Sequence, residues 1–274
     1  MDFVFIGPPK SGSTWLHQIL SAHPEIAVPA AKDIFYFDRH FERGEQWFRA
    51  QLPTGQSTST LKGDVGHDYI FSQDALRRIA SLPERVKIFA ILREHGDWAL
   101  SSYRFAARNG RFGGTFDDFL TVRPDVWKLN YSQLLAPLVS RESFRAFLFD
   151  HLQDDPLGFS EEIFGFLGVK TATQELTSLA TRSVNKSKAA RYAPINRVVK
   201  SSVPILRRAG LGAAVQTLKM NSQVRKLLFV DHKESSADSS NYGSAIERVR
   251  LHFEADRADL SGMIGEDLEQ LWGP

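Results

Sequence analysis

Within Gly7-Pro8-Pro9-Lys10-Ser11-Gly12-Ser13-Thr14 the chain gathers one lysine, two glycines and three hydroxyl side chains. Those residue types in that order suit an anion. Gly7 and Gly12 allow a tight turn whose backbone N–H groups converge. A helix beginning near Ser13 directs the positive end of its dipole at whatever the turn holds. The alternative for the same residues is a Gly-Pro strand-to-helix turn that holds nothing. The 274 residues include no cysteine, which excludes a thiol nucleophile, Cys-ligated zinc, iron–sulfur clusters and disulfides. No H-E-x-x-H and no close histidine pair suggests a metal site.

Three short apolar runs have to position these groups: "FVFI" (Phe3 to Ile6), "VKIFAIL" (Val86 to Leu92) and "FRAFLF" (Phe144 to Phe149). Each is rich in β-branched or aromatic residues, as buried parallel strands are. The first runs directly into the glycine turn. After the third, Asp155 is placed to N-cap a helix starting at Pro156, which carries Ile163, Phe164 and Leu167 on one face and ends at Gly168. Strands alternating with helices predict an α/β fold, a central mainly parallel sheet flanked by helices. Ile246, Val249, Phe253, Leu260, Ile264, Leu268 and Leu271 recur as in one or two covering helices. No linker divides the chain, so one domain over 1–274 is expected, with a core over about 1–190 and a helical covering segment over about 191–274.

The formal charge of +2 gives no nucleic-acid signature. It hides two opposed blocks: seven basic residues and no acid over 194–230, then ten acids against four bases over 231–274. The basic stretch is partly amphipathic, a form that suits peripheral contact with a membrane surface, an anionic acceptor or a lid over a cofactor; pairing with the acidic block is the plainer alternative. No apolar run approaches 18 residues and the first residues lack a signal-peptide pattern, so a cytoplasmic protein is expected.

Against the nucleoside-triphosphate pattern G-x-x-x-x-G-K-[ST], the loop keeps both glycines and Thr14, but Ser13 stands in the lysine's place. The lysine is upstream, at Lys10. That argues against a P-loop kinase or other nucleotide phosphotransferase, whose downstream lysine reaches the β- and γ-phosphates; a degenerate nucleotide-binding module is the non-enzymatic alternative. "PKSGSTWL" resembles the 5′-phosphosulfate-binding loop of the sulfotransferases that use 3′-phosphoadenosine-5′-phosphosulfate (PAPS). In "REHGDWALS", Arg93 and Ser101 are similar to the family's 3′-phosphate site, R-d-P-x-x-x-x-x-S, with His95 where the family has proline. "AKDIFYFDRHFERGEQWFRAQL", "GDVGHDYI" and "LFDHLQDDP" with "IFGFLGV" resemble further blocks of the bacterial and heparan sulfate branch, and "VNKSKAARY" falls where the family has a basic loop over the cofactor.

The resemblance implies a P-loop-containing fold and metal-independent transfer of a sulfuryl group from PAPS, leaving PAP. The acceptor is a hydroxyl or amine on a small molecule, carbohydrate or lipid. It implies Lys10, Ser11, Gly12, Ser13, Thr14, Trp15, Arg93, Ser101, Lys186, Lys188 and Arg191 as cofactor-binding residues, with Lys10 also steadying the departing phosphate. Asp33 falls where relatives carry a catalytic glutamate. Aspartate is one methylene shorter, and a displacement of about 1 Å can cost roughly a hundredfold unless the backbone compensates. His67 is the rival base, histidine being the side chain that ordinarily titrates near neutral pH, and Asp64 in the same block either orients His67 or binds substrate. Lys32 either contacts the sulfate or is exposed. His17 and His95 read as structural, and Asp150 as an ordinary acid at a strand end. The aromatics of "DIFYF" and "GEQWF" either stack on a sugar or pack into the core.

Overall fold

The computed structural model describes residues 1–53, 60–170, 178–181, 188–190, 229–231 and 242–273. Five parallel strands form its main sheet: β1 (Phe3–Phe5), β2 (Ile26–Ala27), β3 (Leu61–Val65), β4 (Lys87–Leu92) and β5 (Phe144–Leu148), in the order β2-β3-β1-β4-β5. Three of them match the apolar runs; β2 is two residues long, and β3 reads Leu-Lys-Gly-Asp-Val, too polar to stand out. The glycine in β3 has a tertiary cause. A Cβ on Gly63 would sit 2.2 Å from the Phe3 ring.

The helices that follow the strands are α1 (Ser13–Ala22), α2 (Tyr36–Arg39), α3 (Gly44–Arg49), α4 (Gln73–Ala80), α5 (His95–Arg108), α6 (Phe116–Val122), α7 (Tyr131–Leu135), α8 (Phe149–Asp154) and α9 (Pro156–Leu167). The chain divides into two compact units. The first holds Met1–His95, Leu129–Val184 and His252–Pro274; the second holds Gly96–Lys128 and Asn185–Leu251. In the first unit, alternate strand residues Phe3, Phe5, Phe89, Ile91 and Phe147 face α1 and α9, where Trp15, Leu16, Ile19, Phe159, Ile163 and Phe164 close the core. The opposite-facing Val4, Ile88, Ala90 and Leu92 are equally buried, as a sheet covered on both sides requires. α9 ends as its sequence predicts: the Asp155 carboxylate accepts from the Leu157 and Gly158 amides, and Gly168 closes the helix in the left-handed region.

After residue 242 come α10 (Gly243–His252), α11 (Glu254–Ile264) and α12 (Leu268–Trp272). The expected periodicity fails at Leu271, which is exposed, while Trp272 is buried and its indole donates to Asp150 Oδ2 at 3.0 Å. Gly265 terminates α11 in the left-handed region and Asp267 starts α12 afresh, so the helical phase resets between Leu260 and Leu271. Asp150, in the first turn of α8, is thus a packing partner of the C-terminal helices.

In the second unit, Tyr103 of α5 packs among Phe112, Phe116, Phe119 and Tyr242, and Arg248 of α10 pairs with Asp117 of α6. The short strands β6 (Lys188–Ala190) and β7 (Phe229–Asp231) pair antiparallel. Apart from Phe229 and Val230, the basic stretch 194–230 lies outside the described residues. Among the described residues no helix is long and apolar enough to cross a membrane.

Asp155→Ala removes the carboxylate that caps the start of α9. It is expected to lower stability by about 1 kcal/mol, read as a lower urea midpoint with an unchanged slope.

Candidate active site

The strand order puts the loops after β1, β3 and β4 side by side at the C-terminal edge of the sheet, with β1 in the middle. In open α/β sheets that edge is where ligands bind, at the point where the strand order reverses. Here the chain leaves β1 for β2 and β3 on one side and returns to β4 and β5 on the other. Gly7 lies between the neighbours of β1. Its carbonyl accepts from the Ile91 amide, its φ is +107°, and a Cβ there would come 2.0 Å from the His67 carbonyl oxygen. Glycine is required at this position by His67 as much as by the turn.

Lys10 also has a positive φ, 70°, an unfavourable conformation for a side chain of its size. Gly12, at φ +80°, is the N-cap of α1 and supplies no side-chain cap, and the first turn carries no acid. The first intrahelical bond runs from the Leu16 amide to the Gly12 carbonyl, so the amides of Ser13, Thr14 and Trp15 have no partner within the helix. Ser11 is fully buried and its hydroxyl has no hydrogen-bond partner. An uncapped helix start beside an orphaned buried hydroxyl fits the terminal oxygens of an anionic group.

From the loop a continuous run of polar contacts leads away. The Lys32 ammonium lies 3.4 Å from Ser13 Oγ and 2.7 Å from Asp33 Oδ2. Asp33 Oδ1 meets His67 Nδ1 in a short contact and also accepts from the His67 amide at 3.3 Å. His67 Nε2 lies 3.2 Å from Asp68 Oδ1. Asp33 reaches the ring because its backbone, at φ 60°, turns through the left-handed region while its amide bonds the Val65 carbonyl at the end of β3. Burial pushes the Asp33 carboxyl up, but the His67 hydrogen bond and the Lys32 charge outweigh it and hold the group at about 2. The two candidates for the base are thus in direct contact with each other.

Arg93, one residue past β4, donates from Nη1 to the Lys10 carbonyl at 3.1 Å, and its guanidinium lies 4.5 Å from the centre of the Phe149 ring. The arginine singled out from sequence therefore touches the loop. The sulfotransferase domain family model matches residues 1–212. The chain belongs to that family. Among its relatives, the mouse bifunctional heparan sulfate N-deacetylase/N-sulfotransferase 3 is 27% identical over 235 residues, 71% of this chain and 27% of the relative. The membrane-associated sulfotransferase kil1 of Dictyostelium discoideum is 30% identical over 107 residues, 38% of this chain and 23% of the relative. The chain thus spans about a quarter of these two relatives. A sulfotransferase from Alicyclobacillus acidocaldarius shares the fold over 99% of this chain and 98% of its own, with a TM-score of 0.63 at 18% identity. The mouse sulfotransferase SULT7A1 complexed with PAP aligns over 94% of this chain and 88% of its own, with a TM-score of 0.50 at 15% identity.

The other candidate residues fall in different surroundings. The Trp15 side chain belongs to the core: its indole donates to the Ala180 carbonyl at 2.9 Å and its ring meets Phe159, so only its amide stays with the loop. Ser101 stands on α5 in the second unit. Lys188 opens β6 in that unit, while Lys186 and Arg191 lie outside the described residues. His17 bonds the Pro29 carbonyl at 2.9 Å, and His95 is buried among the C-terminal helices. Tyr36, Phe37 and Phe48 are buried against one another and Tyr69, whereas Phe35 lies beside His67 with the Arg39 guanidinium 3.8 Å from its ring centre. Asp68, next to His67 in sequence, was the site residue the motifs did not isolate; its only signal was adjacency.

Asp64 neither orients His67 nor reaches the surface. It is 1% exposed, accepts from the Tyr69 hydroxyl at 2.5 Å, and leaves Oδ1 without a partner. Burial, opposed by the Tyr69 hydrogen bond and reinforced by the charge of Asp33, pushes its carboxyl up to about 7. Between its unfolded value and about 7 the folded state binds the extra proton, so this group's contribution to stability is full below about pH 4 and is lost as pH rises. Asp64→Asn lacks that dependence. The melting temperature of the variant minus that of the parent is expected to rise from pH 4 to pH 7.5; a flat difference sinks the assignment. Asp33, held low, acts with the opposite sign and only below about pH 4.

Proposed function

We propose that this sulfotransferase moves a sulfuryl group from PAPS to a hydroxyl or amine of a small-molecule, carbohydrate or lipid acceptor, and that residues 1–274 act as one domain. The observation that carries the reading is the unbroken run Ser13, Lys32, Asp33, His67, which joins an anion-ready loop to a base. PAPS, when bound, supplies the sulfuryl group on a phosphosulfate anhydride. The amides of Ser13, Thr14 and Trp15 and the hydroxyls of Ser11, Ser13 and Thr14 hold its 5′ end, with Lys10 balancing charge on the departing phosphate. Arg93 and Ser101 hold the 3′-phosphate, which sets PAPS apart from ATP, and Lys186, Lys188 and Arg191 serve as further basic residues for the anionic donor. Relatives named for heparan sulfate favour a carbohydrate among the acceptors.

His67 is the base and Asp33 its orienting partner. A carboxylate held at about 2 is a weak proton acceptor near neutral pH. Its contact with Nδ1 fixes the ring and leaves Nε2 for the acceptor's proton, as in other carboxylate–histidine pairs. Asp68 occupies the neighbourhood of Nε2 at 3.2 Å and gives way to the acceptor.

PAP is expected to raise the melting temperature well above the shift given by Mg-ATP at equal concentration, and Arg93→Ala to abolish the difference. Equal stabilisation by both ligands would sink the PAPS reading. With labelled PAPS and pooled acceptor classes, His67→Gln is expected to lower kcat by about 10²- to 10⁴-fold while PAP binding holds. Asp33→Asn should cost less and displace the pH–rate profile. Full turnover in His67→Gln with none in Asp33→Asn would transfer the base role to Asp33.

A further inference from the structure

The family pattern has proline two residues after the arginine, and this chain has His95. His95 is 2% exposed, and its Nε2 lies 3.0 Å from the Leu129 carbonyl oxygen and 3.1 Å from Asp256 Oδ2. Its ring stacks on Phe253 at 4.2 Å and 13°, and meets Tyr131 at 4.7 Å. Asp256, on α11, is 3% exposed and uses both oxygens: Oδ2 accepts from the Tyr131 amide and Oδ1 from the Ser132 amide, each at 2.8 Å. Burial raises the Asp256 carboxyl, but the hydrogen bonds from His95 and Ser132 outweigh it and keep the group ionised below the usual range. Tyr131, itself buried, carries the connection onward. Its hydroxyl donates to the Arg93 carbonyl at 2.9 Å and accepts from the Arg93 amide at 3.5 Å.

We infer that Asp256, His95 and Tyr131 are positioning residues for Arg93, replacing the rigid proline of the family pattern with a hydrogen-bonded brace supplied by the C-terminal helices; this rests on the reading of Arg93 as the 3′-phosphate ligand. A proline would fix the chain direction after the arginine covalently, through its φ. Here the same two residues of chain are fixed from outside. One tyrosine hydroxyl pins the Arg93 backbone, and the Lys10 carbonyl and Phe149 ring pin its guanidinium. A planar fork that must meet a phosphate in a bidentate geometry loses most when its base shifts. All the bracing groups belong to the first unit, as Arg93 does. The burial of Asp256 makes its full set of bonds obligatory, so the brace has one arrangement.

PAP and adenosine 5′-monophosphate differ only in the 3′-phosphate, so their affinity ratio isolates what the 3′-phosphate ligands, Arg93 among them, contribute. Calorimetric titration of the full chain is expected to give a ratio favouring PAP. Tyr131→Phe keeps the ring and removes only the hydroxyl; it should lower PAP affinity by about tenfold, the worth of one well-aligned charge-assisted bond, and leave the monophosphate unchanged. Asp256→Asn should do the same, and if it does not fold, Tyr131→Phe decides alone. A ratio unchanged from the parent in folded Tyr131→Phe overturns the brace while leaving the PAPS reading intact. A parent protein that binds both nucleotides equally overturns the 3′-phosphate reading, and the brace with it.

Discussion

The site depends on the close approach of two turns, the one after β1 and the one after β3. Gly7 and the His67 carbonyl are so near that no side chain fits between them. Parallel pairing creates this approach: Phe5 is in register with Val65 on one side and Phe89 on the other, so β1 and β3 leave the sheet at the same level while β4 runs on to Leu92. Everything chemical follows within a few residues of those exits. The loop after β1 offers amides and hydroxyls, the turn after β3 offers imidazole, and the end of β4 offers Arg93. Any side chain at position 7 would push the His67 backbone away from the loop, whatever the loop's own preference.

Charge is arranged along the same edge. Lys32, absent from the motif but brought in by the segment after β2, puts an ammonium beside Ser13, where a triphosphate-binding loop would carry its lysine in the chain itself. The same ammonium lowers Asp33, and Asp33 in turn holds His67. The loop and the Asp33–His67 pair are therefore coupled electrostatically. An anion entering the loop competes for Lys32 and so changes the field that Asp33 and His67 feel.

Asp33 and His95 stand where the motifs this sequence resembles carry glutamate and proline, and each is held by a side chain from elsewhere in the chain. Asp33 is extended by His67, and His95 is locked by Asp256, Phe253 and Tyr131. In both cases the contact is a hydrogen bond from a distant part of the chain. Such bonds are worth having only when buried and complete.

The sequence by itself determined the α/β class, three of the five strands, the caps of α9 and the loop with Arg93, because strand periodicity, capping residues and glycine placement are local signals. β2 and β3 escaped it: one is two residues long, and the other exchanges apolar residues for Gly63 and Asp64, whose reasons, the Phe3 ring and the Tyr69 hydroxyl, are not neighbours in the strand. Asp33 and His67 were both legible as candidates, yet as rivals. Only the tertiary structure made them partners, since 34 residues separate them and the contact depends on a left-handed turn at Asp33 that its residue type does not dictate. The same holds for Asp256 and His95, 161 residues apart, whose pairing is decided by how the C-terminal helices pack rather than by any spacing along the chain.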